Sequence, residues 1–170
     1  MNHNKRYINI YLTKTEYEIC QFIGQMRHKI TAQNVSEGRQ DTSKDPVQMC
    51  VDGVITEYAV AKTLNLNFDF NCNFRKFGAD LTLKDGRPLE VKSTTTVGGN
   101  LNAVRGSVAK PAAIFVLTEI HASHIRLVGW IGRARLLHPD NLRNVGRGEF
   151  YSVAQSELYP FDEKYYKETL

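Results

Sequence analysis

Asp80, Glu90 and Lys92 are the residues of this chain whose types and spacing can do chemistry. They lie in the run GADLTLKDGRPLEVKST, residues 78–94. Asp80-Leu81-Thr82-Leu83 alternates as a strand does, Asp85-Gly86 supplies a tight turn, and Leu89-Glu90-Val91-Lys92 alternates again, so the run reads as one β-hairpin. Side chains alternate along a strand with period two, which puts Glu90 and Lys92 on one face and Val91 on the other. Two carboxylates and an ammonium converging at a sheet end are costly unless they hold something, and a divalent cation is the ligand that hard oxygen donors select. Phosphodiester hydrolysis needs an attacking water, relief of negative charge in the transition state and help for the departing oxygen, and a cation held by carboxylates can serve all three. The expected shell is Mg²⁺ or Mn²⁺ on Asp80 and Glu90 with the Val91 carbonyl as a further oxygen. Lys92 would orient or help deprotonate the water and stabilise developing charge.

The arrangement Asp80, Glu90-Val91-Lys92 resembles the PD-(D/E)XK nuclease superfamily, although Ala79 stands where the family's name has Pro. Three surroundings strengthen the resemblance, which covers residues 45–131. Apolar residues follow Asp80 and flank Glu90. An upstream helix carries Glu57 within GVITEYA, similar to the acid that precedes the family's motif. A continuous apolar run, Ala113-Ile114-Phe115-Val116-Leu117, follows it. The resemblance implies a restriction-endonuclease-like α/β fold, a mixed central β-sheet flanked by α-helices, and a Mg²⁺-dependent nuclease acting on DNA. It implies products with 5′-phosphate and 3′-hydroxyl ends and a phage or bacterial, intracellular setting. Glu57 joins the site as a metal contact or a neighbour of the metal ligands. Ser93 and Thr94 become candidates for substrate contact, and Arg105 and Lys110 for contact with the nucleic-acid backbone. A homodimer is the expected assembly if both strands are cut. Two rivals stay open: a catalytically silent nucleic-acid-binding protein of the same fold, and a Holliday-junction resolvase, which differs in substrate shape.

The elements that must position these residues read as follows. Residues 6–12 alternate as a short strand. Thr13-Lys14-Thr15-Glu16 is a capping box, in which a hydroxyl and a carboxylate three residues apart satisfy each other's free backbone donors. The helix it opens carries Ile19, Phe22, Ile23, Met26 and Ile30 at helical spacing, so these are expected in the core. Residues 31–44 are polar and without period, hence a loop. Asp45-Pro46 opens a second helix, Asp as cap and Pro at the first helical position. Its expected buried stripe is Val47, Val51, Val54, Tyr58 and Ala61, and it ends near Leu64. Strands are expected at residues 66–70, 80–83, 89–93, 112–120 and 124–131, the run at 113–117 being central and covered on both faces. A short helix broken near His138-Pro139, a last strand at 150–153 and a helical or irregular tail from 156 complete the chain.

With 170 residues, 42% apolar and 24% charged, the chain suits a single domain that buries its own core and argues against wholesale disorder. No run has the apolar length of a membrane span, and the N-terminal residues lack the apolar stretch of a signal peptide. Cys20, Cys50 and Cys72 are odd in number and lack zinc spacing, as expected of free thiols in a reducing compartment. Net charge is +4 but uneven, with eight Lys or Arg against two acids over residues 91–148. A basic stretch directly after the candidate site suits a polyanion. His121 and His124 read as hairpin-turn residues, and Trp130 as packing at the end of a strand.

Overall fold

The computed structural model describes residues 7–34, 45–73, 78–146 and 148–161. The chain opens with a short strand, β1 (Ile8–Ile10), and a helix, α1 (Lys14–Asn34). The capping box forms as its sequence dictates: Thr13 N–H donates to Glu16 Oε2 at 2.7 Å and Glu16 N–H to Thr13 Oγ1 at 3.2 Å. The second helix, α2 (Pro46–Leu64), starts where Asp45 accepts from Val47 N–H at 2.9 Å. It ends where Asn65 turns left-handed, φ 53°, a conformation Asn tolerates better than most residues. Strands β2 (Leu81–Thr82) and β3 (Pro88–Thr94) form the hairpin around Gly86, whose φ of 89° explains the glycine. Strand β4 (Leu101–Val104) and a 3₁₀ turn, Arg105–Ala109, lead to the long hairpin of β5 (Ile114–Ile120) and β6 (Ile125–Gly132). A one-turn helix α3 (Arg133–Leu136), strand β7 (Leu142–Asn144) and strand β8 (Glu149–Val153) follow.

The described residues make a mixed α/β arrangement with two sheets. The larger has the order β1-β6-β5-β3-β2, antiparallel except for the parallel pair β3 and β5; the smaller has the order β4-β8-β7. Strand β5 is central and buried from Ile114 to Glu119, so its side chains divide between two cores. Ile114 and Val116 join Leu89 and Val91 against the two helices, while Phe115 and Leu117 pack with Leu101, Ala103, Val153 and Leu136. Among the described residues, no helix is long and apolar enough to cross a membrane. Cys20 and Cys72 are free thiols, and Cys50 Sγ lies 3.8 Å from His28 Nδ1.

Several expectations need correction. Helix α1 buries Cys20, Ile23 and Gly24, whereas Ile19 and Phe22 are exposed, Phe22 by 62%. Gly24 sets this face, because a Cβ there would lie 2.5 Å from Val51 Cα; the two helices meet at that point, and the face of closest approach need not be the most apolar one. Residues 31–34 continue α1 where a loop was expected, and the rest of that loop, 35–44, lies outside the described residues. Residues 66–70 form no strand: Phe68 stacks edge-on against Tyr58 and Phe70, and the Asp69 carbonyl accepts from Arg27 in place of a ladder partner. The strands β4 and β7 were missed. The expected tail is a 3₁₀ turn at Gln155–Glu157 and a backbone bridge from Tyr159 to Trp130, its remainder from 162 lying outside the described residues.

Candidate active site

Among the described residues, β2 pairs with Pro88 and Leu89 and no further strand continues along that edge of β3 from Glu90 onward. Asp80 closes part of that gap with its side chain: Val91 N–H donates to Asp80 Oδ2 at 2.8 Å. The carboxylate thus replaces a missing backbone acceptor, which fixes Asp80 against the strand that carries Glu90 and Lys92. Leu89 and Val91 enter the helix-side core, and the period of two sends Glu90 and Lys92 to the other face, beside Phe115 and Leu117 in the parallel register. Lys92 Nζ donates to Glu90 Oε1 at 2.7 Å, so the pair on one face forms as its spacing predicts.

Glu90 is the most deeply held of these groups, its side chain 1% exposed. Its Oε1 accepts from two ammonium groups, Lys92 and Lys110, while its Oε2 is buried with no hydrogen-bond partner among the described residues. A buried, unpartnered carboxylate oxygen is expensive and marks a place where a further positive group fits. Asp80 has its carboxyl pushed up, by burial first and then by the charge of Glu90, against the opposing Val91 hydrogen bond and both lysines. Glu57 is pushed up to about 7, by burial and then by Asp80, with Arg27 pulling the other way. Glu57 thus feels the charge of Asp80 and Glu90, and Asp80 that of Glu90. Arg27 Nη1 donates to Glu57 Oε2 at 2.8 Å, and the same guanidinium reaches the Asp69 carbonyl at 2.7 Å and the Asn71 carbonyl at 3.2 Å. An open cleft of about 530 Å³ lined by Phe68, Asp69 and Ala79–Lys84 lies against Asp80.

Lys110 stays charged in this setting. Burial lowers its pKa, but the hydrogen bond and charge of Glu90 outweigh that and the net direction is upward. The sequence reading missed two facts here. Arg27 was not singled out, although it follows Cys20, Ile23 and Gly24 on one helical face, where a charged residue needs a partner. Lys110 was assigned to the nucleic-acid backbone, and its contact with Glu90 is visible only once β3 and β5 are known to be parallel neighbours.

The other candidates are dispersed. Ser93 is exposed and Thr94 half-buried, and the Thr94 hydroxyl accepts from Thr96 N–H at 3.1 Å at the start of the turn into β4. Arg105 is ion-paired with Glu149 on β8. His121 and His124 stack face to face in the β5–β6 turn, ring centroids 4.5 Å apart, and His121 Nε2 lies 3.0 Å from Glu119 Oε2. Trp130 packs on Tyr159, ring centroids 4.9 Å apart, as expected for the end of a strand.

A divalent ion was tested against these donors. Among the described residues, no group of three or more His, Cys, Asp or Glu side chains is placed to hold a metal. Asp80 and Glu90 together offer two hard carboxylates, with the bare Glu90 Oε2 among their oxygens. That donor set fits an ion such as Mg²⁺, which keeps several waters and takes one or two protein carboxylates, and it does not fit a closed all-protein cage. The chain matches no known protein-family model and no curated protein at the level of a relative.

Proposed function

We propose that this chain is a Mg²⁺-dependent nuclease of restriction-endonuclease-like fold that hydrolyses phosphodiester bonds in DNA. One observation carries the reading: Asp80 is bonded to the strand that carries Glu90 and Lys92, Lys92 pairs with Glu90, and Glu90 keeps a buried oxygen with no partner among the described residues. Structural acids alone would leave that oxygen unexplained. Perturbed carboxylates beside a cleft are a recognised mark of a working site.

Asp80 and Glu90 would hold the ion, with the Val91 carbonyl as the further oxygen donor. A bound Mg²⁺ would act as a Lewis acid on the phosphodiester and make water easier to deprotonate. Lys92, fixed to Glu90 by their shared strand face, presents its ammonium to the attacking water and to the negative charge that builds on the phosphate oxygens. Glu57, raised to about 7, can exchange a proton with water near neutral pH, and its ion pair with Arg27 fixes its carboxylate. Ser93, exposed on the same strand, and Thr94 beside it are available to the sugar-phosphate backbone, whereas Arg105 would first have to leave Glu149.

The test is cleavage of linear, supercoiled and four-way-junction DNA with Mg²⁺, Mn²⁺ or EDTA. Metal-dependent cutting lost in Asp80→Ala and Lys92→Ala supports the reading. Binding without cutting of any form replaces it with a nucleic-acid-binding module, and cutting of the junction alone makes the protein a resolvase.

A further inference from the structure

The nuclease reading gives Lys92 a task but leaves Lys110 on a carboxylate that already has an ammonium partner. Both Nζ atoms donate to Glu90 Oε1, and Oε2 stays bare. The segment that carries Lys110 is built to hold it there. Arg133 Nη1 donates to the carbonyls of Lys110 and Ala112 at 2.7 and 3.1 Å, and its other nitrogen reaches the Val108 carbonyl. Pro111 follows, which disfavours helix for Lys110, and the backbone there is extended, φ −78° and ψ 148°. The backbone is pinned while the four-carbon stem keeps its rotatable bonds, and the side chain as a whole is about one-third exposed.

Charge balance gives this arrangement a meaning. Among the described residues, the three acids Glu57, Asp80 and Glu90 stand with three cations, Arg27 on Glu57 and both Lys92 and Lys110 on Glu90, so their formal charges balance. A divalent ion would leave two positive charges in excess, and the group best able to leave is the one on a flexible stem at the exposed side. A phosphodiester arriving at the site supplies the anion that such a displaced ammonium needs.

Resting on that reading of the site, we propose that Lys110 is a placeholder: it occupies Glu90 in the metal-free protein, yields that carboxylate to the divalent ion, and moves its ammonium to the phosphate of the substrate. Metal and Lys110 then compete for Glu90, and nucleic acid relieves the competition, so the two ligands help each other bind.

The measurement is Mn²⁺ affinity without DNA, read from the electron paramagnetic resonance of the free ion, for wild type, Lys110→Met and Lys110→Gln. Mg²⁺-dependent cleavage is followed alongside. Both variants should bind Mn²⁺ at least about tenfold tighter than wild type and reach half-maximal cleavage at lower Mg²⁺. Their maximal rate should fall tenfold or more, because the phosphate has lost a cation. Equal or weaker Mn²⁺ binding in both variants overturns the placeholder role and leaves the nuclease reading standing. No Mn²⁺ binding by any of the three proteins removes the metal site itself, and both readings fall together.

Discussion

At the residue scale, the cost of holding three acids together should be measurable apart from activity. Asp80 is disfavoured as an anion in the folded protein, by burial and by Glu90. A carboxyl raised in this way lowers stability as pH climbs through its unfolded and then its folded pKa. Asp80→Asn keeps an oxygen to accept from Val91 N–H and discards the charge. The variant should therefore show a higher urea midpoint than wild type at pH 8 and no gain at pH 4, while metal-dependent cleavage falls at least about a hundredfold. A lower midpoint at pH 8 would mean that the lysines more than compensate Asp80, and that the cluster is a structural ion network. The trio Asp80, Glu90 and Lys92 was legible in the sequence because strand period and hairpin turn are local rules. Arg27 and Lys110 were not, because each reaches the cluster from an element whose placement is set by tertiary packing.

At the element scale, the two helices illustrate what local signals decide. Both starts were readable, since a capping box and an Asp-Pro pair satisfy backbone donors within a few residues. The buried face of α1 was not, because Gly24 chooses it by admitting Val51, and a glycine contributes nothing to an apolar stripe. Gly24→Ala should push the helices apart or strain both backbones, costing about 1–3 kcal/mol and lowering the thermal midpoint. Unchanged stability would show that the two helices separate at Gly24 without cost. The capping acid also clamps α2: Glu16 accepts from Lys62 Nζ at 2.6 Å and from the Tyr58 hydroxyl at 3.0 Å, and its carboxyl is lowered to about 2, by Lys62 first and by the Thr13 backbone next. A lowered acid contributes stability that is present above its unfolded pKa near 4.5 and is lost as pH falls toward 2. Glu16→Gln should then cost about 1 kcal/mol at pH 7, allowing for solvent screening of a partly exposed pair, and the difference from wild type should vanish near pH 2 in urea titrations.

At the scale of the whole molecule, the question is what joins the second sheet to the first. The central strand and the mixed α/β class were readable from the apolar run at 113–117, but β4 and β7 are 4 and 3 residues long and too short for a pattern to declare them. The connection is a buried acid the sequence did not mark. Glu119, 2% exposed at the end of β5, accepts from Gln155 Nε2 at 2.7 Å and from Gly98 N–H at 2.8 Å, and Arg126 lies 3.3 Å away. Gln155 Nε2 also donates to the Gly99 carbonyl at 2.9 Å, so one carboxylate and one amide tie the turn after β3 to the chain after β8. Burial alone would raise Glu119, yet these donors outweigh it and the carboxyl lies below its ordinary value. Its contribution is therefore present above the usual carboxylate range and lost as pH falls through it. Glu119→Ala removes the acceptor of the Gly98 N–H and one of the acceptors of Gln155 Nε2, and should cost about 3 kcal/mol at pH 7, with a smaller difference from wild type at pH 3. Because that turn begins at Thr94, two residues past Lys92, the proposed nuclease reading has the variant also raise the KM for DNA while Mn²⁺ affinity at Asp80 and Glu90 stays put. A loss of Mn²⁺ affinity equal to the loss of DNA affinity would show that the sheets cannot be uncoupled, and that the metal site depends on the same tie.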